Sequence, residues 1–258
     1  MMPMVKIASP ISELFENKDY AKKIIKNSDC LECRDESVNS KLKRQEIFHC
    51  DLQPIHELTR KDYLRLKRIK KLKPDLKLIT FHIASSCSMP RTVNKMFVSG
   101  GKNYSRAQLI SNAKNNLAEI KNIFGSKVKI AVENNNYYPA PAYKYVTDPE
   151  FISEVVCANK INFLYDIAHG FVTAVNSKIK YEDYKKKLPL DRIVQVHICS
   201  YGIKSDDMAF DAHDCPKDRE YKEVISLLKN SSVRYLTVEY YRQIDDLIAS
   251  LKKLRELI

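Results

Sequence analysis

Histidine is scarce in this 258-residue sequence, and most of the histidines stand where a short apolar run ends. Five of the six occupy such positions, and four carboxylates occupy equivalent ones. Imidazole nitrogens together with carboxylate oxygens suit iron, manganese or zinc, whereas four carboxylates without cations would repel one another. We interpret the nine residues as candidate ligands for about two or three divalent ions. They are His49, His82, Glu133, Asp166, His169, His197, Asp211, His213 and Glu239.

Two spacings within this set indicate how the ligands are presented. Asp211 and His213 are two residues apart, so both can reach one ion from an extended segment. Asp166 and His169 are three residues apart and would point to opposite faces of a strand. We therefore predict that His169 lies beyond the end of the strand that Asp166 completes.

The apolar runs that carry these residues alternate with longer segments of helical spacing, which is typical of repeated βα units. Several runs are continuously apolar, as expected for parallel strands covered on both faces. The ends of parallel strands in a closed barrel converge on one mouth. The sequence therefore predicts an α/β fold, with a single (β/α)₈ TIM-barrel domain over residues 1–258. The predicted strands are Met4–Ala8, Cys30–Arg34, Glu46–Cys50, Leu76–His82, Val128–Glu133, Asn162–Asp166, Arg192–Ile198 and Arg234–Tyr240.

Helix signals fall between these runs. Ser105 is a predicted N-cap and Gly125 a predicted helix end, and Asp148 followed by proline predicts another N-cap. Lys61 to Lys77 reads as a solvated helix with Leu64, Ile69 and Leu72 facing inward, and a closing helix begins near Ile244. We expect irregular loops at Ser85 to Asn103, Asn134 to Val146 and Tyr201 to Arg219.

Composition narrows the class of protein further. The net charge of +12 would suit an anionic partner such as nucleic acid, but the excess is diffuse. No apolar run approaches the ~20 residues that span a bilayer, so a soluble cytoplasmic protein is expected. Seven cysteines without an export signal predict reduced thiols. Cys30 and Cys33 form a C-x-x-C that could be a redox pair or half of a zinc site, and His56 is expected to be structural.

The words around the candidate ligands resemble those of a known family. Glu133-Asn134-Asn135 with Tyr137, then Leu164-Tyr165-Asp166-Ile167-Ala168-His169, then Val196-His197-Ile198 and Asp211-Ala212-His213 are similar to the multinuclear non-haem iron-dependent oxidative enzymes. That family includes methanobactin-biosynthesis-type enzymes and has a xylose-isomerase-like TIM barrel. The ligand order also resembles that of endonuclease IV. The likeness runs from about Glu46 to the C-terminus.

The resemblance implies a mixed-valence iron centre of two or three ions that uses dioxygen to oxidise a ribosomally made peptide at or near cysteine. It implies a precursor peptide as substrate and a partner protein that binds the leader. The resemblance also implies three ion sites. The first would use His49, His82 and Glu133, and the second Glu133, Asp166, His197 and Glu239. The third would use His169, Asp211 and His213. Glycines expected after the first and the strand-seven histidines are replaced by Cys50 and by Cys199-Ser200-Tyr201-Gly202. Candidate substrate-binding residues are Asn135, Tyr137 and Tyr240, with Tyr138 and Tyr241 as further cavity candidates.

Three other functions remain compatible with the sequence. An endonuclease IV-like phosphodiesterase would use zinc to cleave nucleic acid. A xylose-isomerase-like sugar isomerase or epimerase would need a single metal ion, with zinc and manganese as candidates, and would not require all nine ligands. A barrel that binds metal or peptide without catalysis would have a coordinatively closed site.

Overall fold

Eight parallel strands close into a barrel in the computed structural model, which describes residues 4–94, 96–230 and 232–258. Each barrel strand pairs with the one that precedes it along the chain among the eight, and the last pairs with the first. The predicted eight-stranded parallel barrel is confirmed, and the strand ends shift by no more than two residues. The barrel strands are β1 (Lys6–Pro10), β2 (Cys30–Arg34), β3 (Gln45–Cys50), β4 (Leu78–His82), β7 (Lys129–Glu133), β8 (Asn162–Asp166), β9 (Ile193–Ile198) and β12 (Tyr235–Val238).

Two antiparallel hairpins occupy segments that were expected to be irregular loops. The first joins β5 (Arg91–Val93) to β6 (Met96–Val98), and the second joins β10 (Ser200–Ile203) to β11 (Ala209–Asp214). In the second hairpin a Cβ on Gly202 would stand 2.6 Å from the Phe210 ring. Glycine is therefore required there by close approach, and the hairpin gives the segment after β9 a fixed geometry.

Helices cover the outside of the barrel, and the four that the sequence analysis placed begin where it predicts. Ser105 caps the third helix in a reciprocal pair with Gln108, and Gly125 follows the helix end with φ of 72°. The final helix buries Ile244, as predicted. The helices are α1 (Lys18–Asn27), α2 (Arg60–Leu72), α3 (Arg106–Phe124), α4 (Pro149–Ala158), α5 (Ile167–Asn176), α6 (Tyr181–Lys185), α7 (Asp218–Asn230) and α8 (Ile244–Leu257).

The prediction for the lysine-rich helix is wrong in part, because α2 ends at Leu72 and not at Lys77. Leu64 and Leu72 of α2 are 55% and 41% exposed, and the buried residues of that helix are Leu66 and Ile69. A lysine-rich helix can dock by this narrow stripe because the long lysine stems cover apolar surface beside it. Asp148 is the N-cap residue of α4 and Pro149 is the first helical residue, as predicted, although the Asp148 side chain makes no capping hydrogen bond.

The interior of the barrel is apolar at one end and polar at the other. At the N-terminal end of the strands a small cluster includes Cys30, Ile47 and Ala131. Two residues further along the same strands, the inward side chains are Glu32, His49 and Glu133, all of them buried. The larger apolar core lies between barrel and helices. Stability thus comes from the apolar core between barrel and helices and from the apolar cluster at the N-terminal end of the barrel. This leaves the C-terminal half of the barrel interior for polar groups.

The C-x-x-C residues do not form a pair. Cys30 belongs to the cluster inside the barrel, whereas Cys33 packs in the outer core, because residues three apart on a strand face opposite sides. All seven cysteines are free thiols. Among the described residues, no helix combines the length and apolar character needed to cross a bilayer.

Candidate metal centre

The nine candidate ligands lie at the C-terminal mouth of the barrel, around a cavity of about 400 Å³. Seven line this cavity, while Asp166 and His197 lie fully buried beneath it. The nine reach the mouth from eight different elements, with Asp211 and His213 sharing β11, and the closure of the barrel brings most of these elements together. The seven are His49, His82, Glu133, His169, Asp211, His213 and Glu239.

Glu133, the last residue of β7, stands at the centre of the group. Its Oε2 lies 2.9 Å from His82 Nδ1 and 3.5 Å from His49 Nε2. Its Oε1 lies 3.1 Å from His197 Nδ1. One carboxylate between imidazoles on two sides has the arrangement of a bridging ligand for two cations.

His197 extends the group toward β8 and β12. Its Nδ1 lies 3.9 Å from Asp166 Oδ2 and 3.4 Å from Glu239 Oε1. Asp166 ends β8 and also caps α5, because its side chain accepts a hydrogen bond from the His169 backbone N–H at 2.7 Å. His169 therefore lies in the first turn of α5, beyond the strand end, and this places its ring on the same side as Asp166.

The second hairpin brings in the remaining ligands. Asp211 and His213 lie on β11, two residues apart, with Asp211 Oδ2 2.8 Å from His213 Nε2 and 3.4 Å from His169 Nε2. The backbone of His213 has φ of 44°, an uncommon left-handed conformation for a non-glycine residue. Strain of this kind is held by the surrounding structure and here aims the ring into the mouth.

Hydrogen bonds at the far ring nitrogens orient two of the imidazoles. His169 Nδ1 lies 2.8 Å from the Asn134 carbonyl oxygen, which can only accept, so Nδ1 donates and Nε2 faces Asp211. His49 Nδ1 lies 2.6 Å from Thr80 Oγ1, with Nε2 toward Glu133. Such outer partners are typical of metal-binding histidines, because they fix the ring and the tautomer.

Three buried polar atoms in this group have no hydrogen-bond partner: Glu133 Oε2, Asp166 Oδ2 and His197 Nδ1. They approach one another at ion-pair distances without the alignment of a hydrogen bond. A buried polar group left unsatisfied costs about 1 to 3 kcal/mol. Divalent cations between these atoms would satisfy all three, so the residues present fit a metal centre.

The pKa values of the buried histidines in this group shift in different directions. Burial and the neighbouring His82 hold the pKa of His49 well below its usual value. Burial alone would also lower the pKa of His169 and His197, but nearby carboxylates reverse the direction. Asp166 raises the pKa of His169 well above normal, and Glu32 with Glu133 raises the pKa of His197 to about 9.

Glu32 and Arg34 of β2 are site residues that the sequence interpretation missed. Glu32 is fully buried, with Oε2 3.0 Å from His197 Nε2 and 2.6 Å from Gln195 Nε2, and Oε1 2.8 Å from Arg34 Nη2. Arg34 also contacts Glu239 and lines the cavity. The available signal was their alternation on a strand, which puts both in the barrel interior.

The predicted substrate-binding residues divide between the cavity and its surroundings. Asn135 lines the cavity, whereas Tyr137 packs beside Tyr143 and its backbone N–H donates to Thr173. The Tyr240 hydroxyl donates to Asp246, away from the mouth, and the neighbouring Tyr241 instead hydrogen-bonds Glu239 at 3.2 Å. Tyr138 is buried in the aromatic cluster with Tyr143.

The sixth histidine, His56, lies outside the centre. Its Nε2 is 2.7 Å from the Ser85 carbonyl oxygen, and its ring stacks on Tyr104 at 5.4 Å. The ring is buried and lies between the segment before α2 and the loop after β4. These contacts give it a packing role, as the sequence predicted.

In the metal-free protein, the raised pKa of His197 makes stability depend on pH. Its stabilising contribution is complete below the unfolded-state pKa near 6.5 and is lost as pH rises through about 9. We expect the free energy of unfolding of wild type, relative to His197→Gln, to fall by on the order of 3 kcal/mol across this window. Urea unfolding with a chelator at pH 6 and pH 9.5 measures the difference, and a pH-independent difference contradicts the assignment.

Comparison with known proteins indicates a class of protein that is consistent with this site. A sequence model of the family described as "RiPP precursor modification enzyme MbnB/TglH/ChrH" matches residues 59–257. The match covers most of the chain and includes every candidate ligand except His49. The fold and site therefore define a TIM-barrel enzyme family. The chain belongs to the RiPP precursor modification enzyme family MbnB/TglH/ChrH.

Curated relatives align over shorter stretches. A UPF0276 protein of Paraburkholderia phytofirmans is 31% identical over 93 residues, 34% of this chain and 30% of the relative. A UPF0276 protein of Acaryochloris marina is 27% identical over 100 residues, 39% of this chain and 35% of the relative. The aligned stretches thus span about a third of these relatives' lengths.

Solved structures with a similar fold include sugar epimerases. The 3-keto-D-glucoside 4-epimerase YcjR from E. coli superposes with a TM-score of 0.62 at 13% identity, covering 98% of this chain and 99% of that one. A D-tagatose 3-epimerase-like protein gives 0.62 at 17% identity, covering 98% and 97%. These likenesses support the xylose-isomerase-like barrel, and at such identities they show the fold alone.

Proposed function

We propose that this protein is an iron-dependent enzyme that uses dioxygen to oxidise a peptide substrate at or near cysteine. The observation that carries the proposal is Glu133, a buried carboxylate between His49, His82 and His197 whose Oε2 has no hydrogen-bond partner. Membership of a family of peptide-modifying enzymes gives this centre its substrate class.

The ligands would fall into three groups, of which the first two share Glu133. His49, His82 and Glu133 would hold one ion, and Glu133, Asp166 and His197 a second, both with ligand atoms within 4.8 Å of one another. The third group centres on Asp211, between His169 and His213. Iron in this mixed nitrogen and oxygen environment would supply redox chemistry and dioxygen activation.

The protein's own residues would bind and orient the substrate. Asn135 and Asn136 line the cavity and offer amide groups suited to a peptide backbone. Phe97 lines it from the first hairpin, held by a backbone hydrogen bond to the Tyr143 hydroxyl at 2.8 Å. Burial of His197 and Asp166 beneath the cavity would keep water from the deepest ligands.

The first hairpin, which supplies Phe97 to the cavity lining, also carries exposed apolar side chains on its other face. Around the first hairpin, Met89, Val93 and Val98 are 66%, 49% and 39% exposed. Exposed apolar side chains beside a polar cavity are typical of a surface that binds another chain. We propose that this surface contacts the precursor peptide, delivered by a partner protein that binds the leader.

Anaerobic loading with iron(II), followed by Mössbauer spectroscopy before and after oxygen, tests the proposed function. We expect roughly two or three irons per chain, a change of valence with oxygen, and oxygen uptake stimulated by a cysteine-containing candidate precursor peptide. Mass spectrometry should then find the peptide oxidised, and a matched peptide with serine in place of cysteine should remain unchanged. Iron that stays in one valence state, with no modified peptide, contradicts the proposal.

The alternative functions are tested in parallel with the zinc- and manganese-loaded protein. Cleavage of abasic DNA would favour an endonuclease IV-like phosphodiesterase, and epimerisation of a ketohexose would favour a sugar epimerase. We expect neither activity. Metal binding with no turnover of any of the three substrates would instead indicate a non-catalytic barrel.

A further inference from the structure

Cys199 is a fully buried thiol at the edge of the candidate centre, and none of the expected ligand groups includes it. It follows the end of β9 and continues the inward row of Gln195 and His197 at two-residue spacing. Its Sγ lies 3.8 Å from Asp211 Oδ1, the oxygen opposite the one that faces His169 and His213. The thiol therefore points toward the third group of ligands.

Three donor atoms meet at this point. The sulfur of Cys199, a ring nitrogen of His213 and a carboxylate oxygen of Glu239 all lie within 4.8 Å of one another. Bonds of about 2.0 to 2.3 Å to a shared ion place its ligand atoms roughly 3.4 Å apart, so small side-chain rotations bring the three into range. Asp211 contacts both Cys199 and His213, which supplies a fourth donor.

We propose that Cys199 donates its sulfur, as thiolate, to the ion held beside Asp211 and His213. This proposal rests on the metal-binding part of the proposed function. A thiolate makes this position softer than the groups around Glu133, which contain nitrogen and oxygen donors, and so favours zinc or iron over magnesium or calcium. The thiolate would also fill a coordination position and so leave the ions nearer Glu133 as the ones open to a substrate.

Cobalt(II) substitution tests the proposal, because thiolate bound to cobalt(II) gives a strong near-ultraviolet charge-transfer absorption that imidazole and carboxylate do not. The experiment uses the full chain in a Cys157→Ser background, since Cys157 is exposed. We expect the band with Cys199 present and its loss in Cys199→Ser and Cys199→Ala. Cys33→Ser is the matched control, because Cys33 is a buried thiol of the outer core that hydrogen-bonds the Ser37 carbonyl at 3.1 Å.

X-ray absorption of the zinc-loaded Cys157→Ser protein gives a second readout that needs no substitution at Cys199. A sulfur shell at about 2.3 Å supports the proposal, and nitrogen and oxygen alone at about 2.0 to 2.1 Å overturn it. A charge-transfer band that persists in Cys199→Ser also overturns it. If cobalt binds without a sulfur ligand, the proposed metal centre is retained and only the role of Cys199 is rejected. If neither cobalt nor zinc binds, both the metal centre and the role of Cys199 are rejected.

Discussion

Glu133→Gln is expected to remove metal from the protein and to lower activity by about 100-fold or more. The amide keeps the shape of the side chain but loses the charge that stands between His49, His82 and His197. In the proposed centre Glu133 would be shared by two ions, so its loss would weaken the binding of both. Elemental analysis after dialysis should show at least one ion fewer per chain than wild type.

Thermal unfolding with added metal gives a second measurement of the Glu133 effect. Metal at 100 times its dissociation constant raises the free energy of unfolding by about 2.7 kcal/mol, and this rise should shrink or vanish in Glu133→Gln. Glu46→Gln is the matched control, because Glu46 pairs with Lys6 at the opposite end of the barrel. Full metal content in Glu133→Gln would refute its place at the centre.

Glu32→Ala is expected to produce the largest loss of stability, about 3 to 5 kcal/mol. Glu32 is the buried counter-charge for both His197 and Arg34, with hydrogen bonds also from Gln195 and Thr237. Burial favours the neutral acid, yet His197 and Arg34 outweigh it and hold the pKa of Glu32 below its usual value. Removing it deprives the buried His197 and the partly buried Arg34 of a shared carboxylate partner.

The midpoint of thermal unfolding should fall by on the order of 10 °C in Glu32→Ala, since 1 kcal/mol shifts it by about 2 to 4 °C in a protein of this size. Glu32→Gln should lose less, because its amide oxygen still accepts hydrogen bonds. Combining Glu32→Ala with Arg34→Met should recover part of the loss and thereby measure the coupling. The exposed pair of Glu150 and Lys187 is the control, with an expected effect near 0.5 kcal/mol for Glu150→Ala. If Glu32→Ala costs as little stability as Glu150→Ala, the result contradicts a buried network around Glu32.

The sequence alone predicted the barrel because its evidence is local. Apolar runs of strand length alternate with segments such as α3, whose cap at Ser105 and stop at Gly125 are read within about 20 residues. The candidate ligands were found because a parallel barrel makes strand ends converge, so position in the pattern implies position in space. The placement of His169 beyond its strand also followed from spacing.

What only the tertiary structure decided is which side chains complete the centre from a distance. Glu32 meets His197 across 165 positions of sequence, and Arg34 meets Glu239 across 205. Those contacts depend on the closure of β1 against β12 and on the register of β2 against β3, which no local period encodes. The tertiary structure also pairs β10 with β11 in the second hairpin, and this pairing directs the Asp211 and His213 side chains toward the mouth of the barrel.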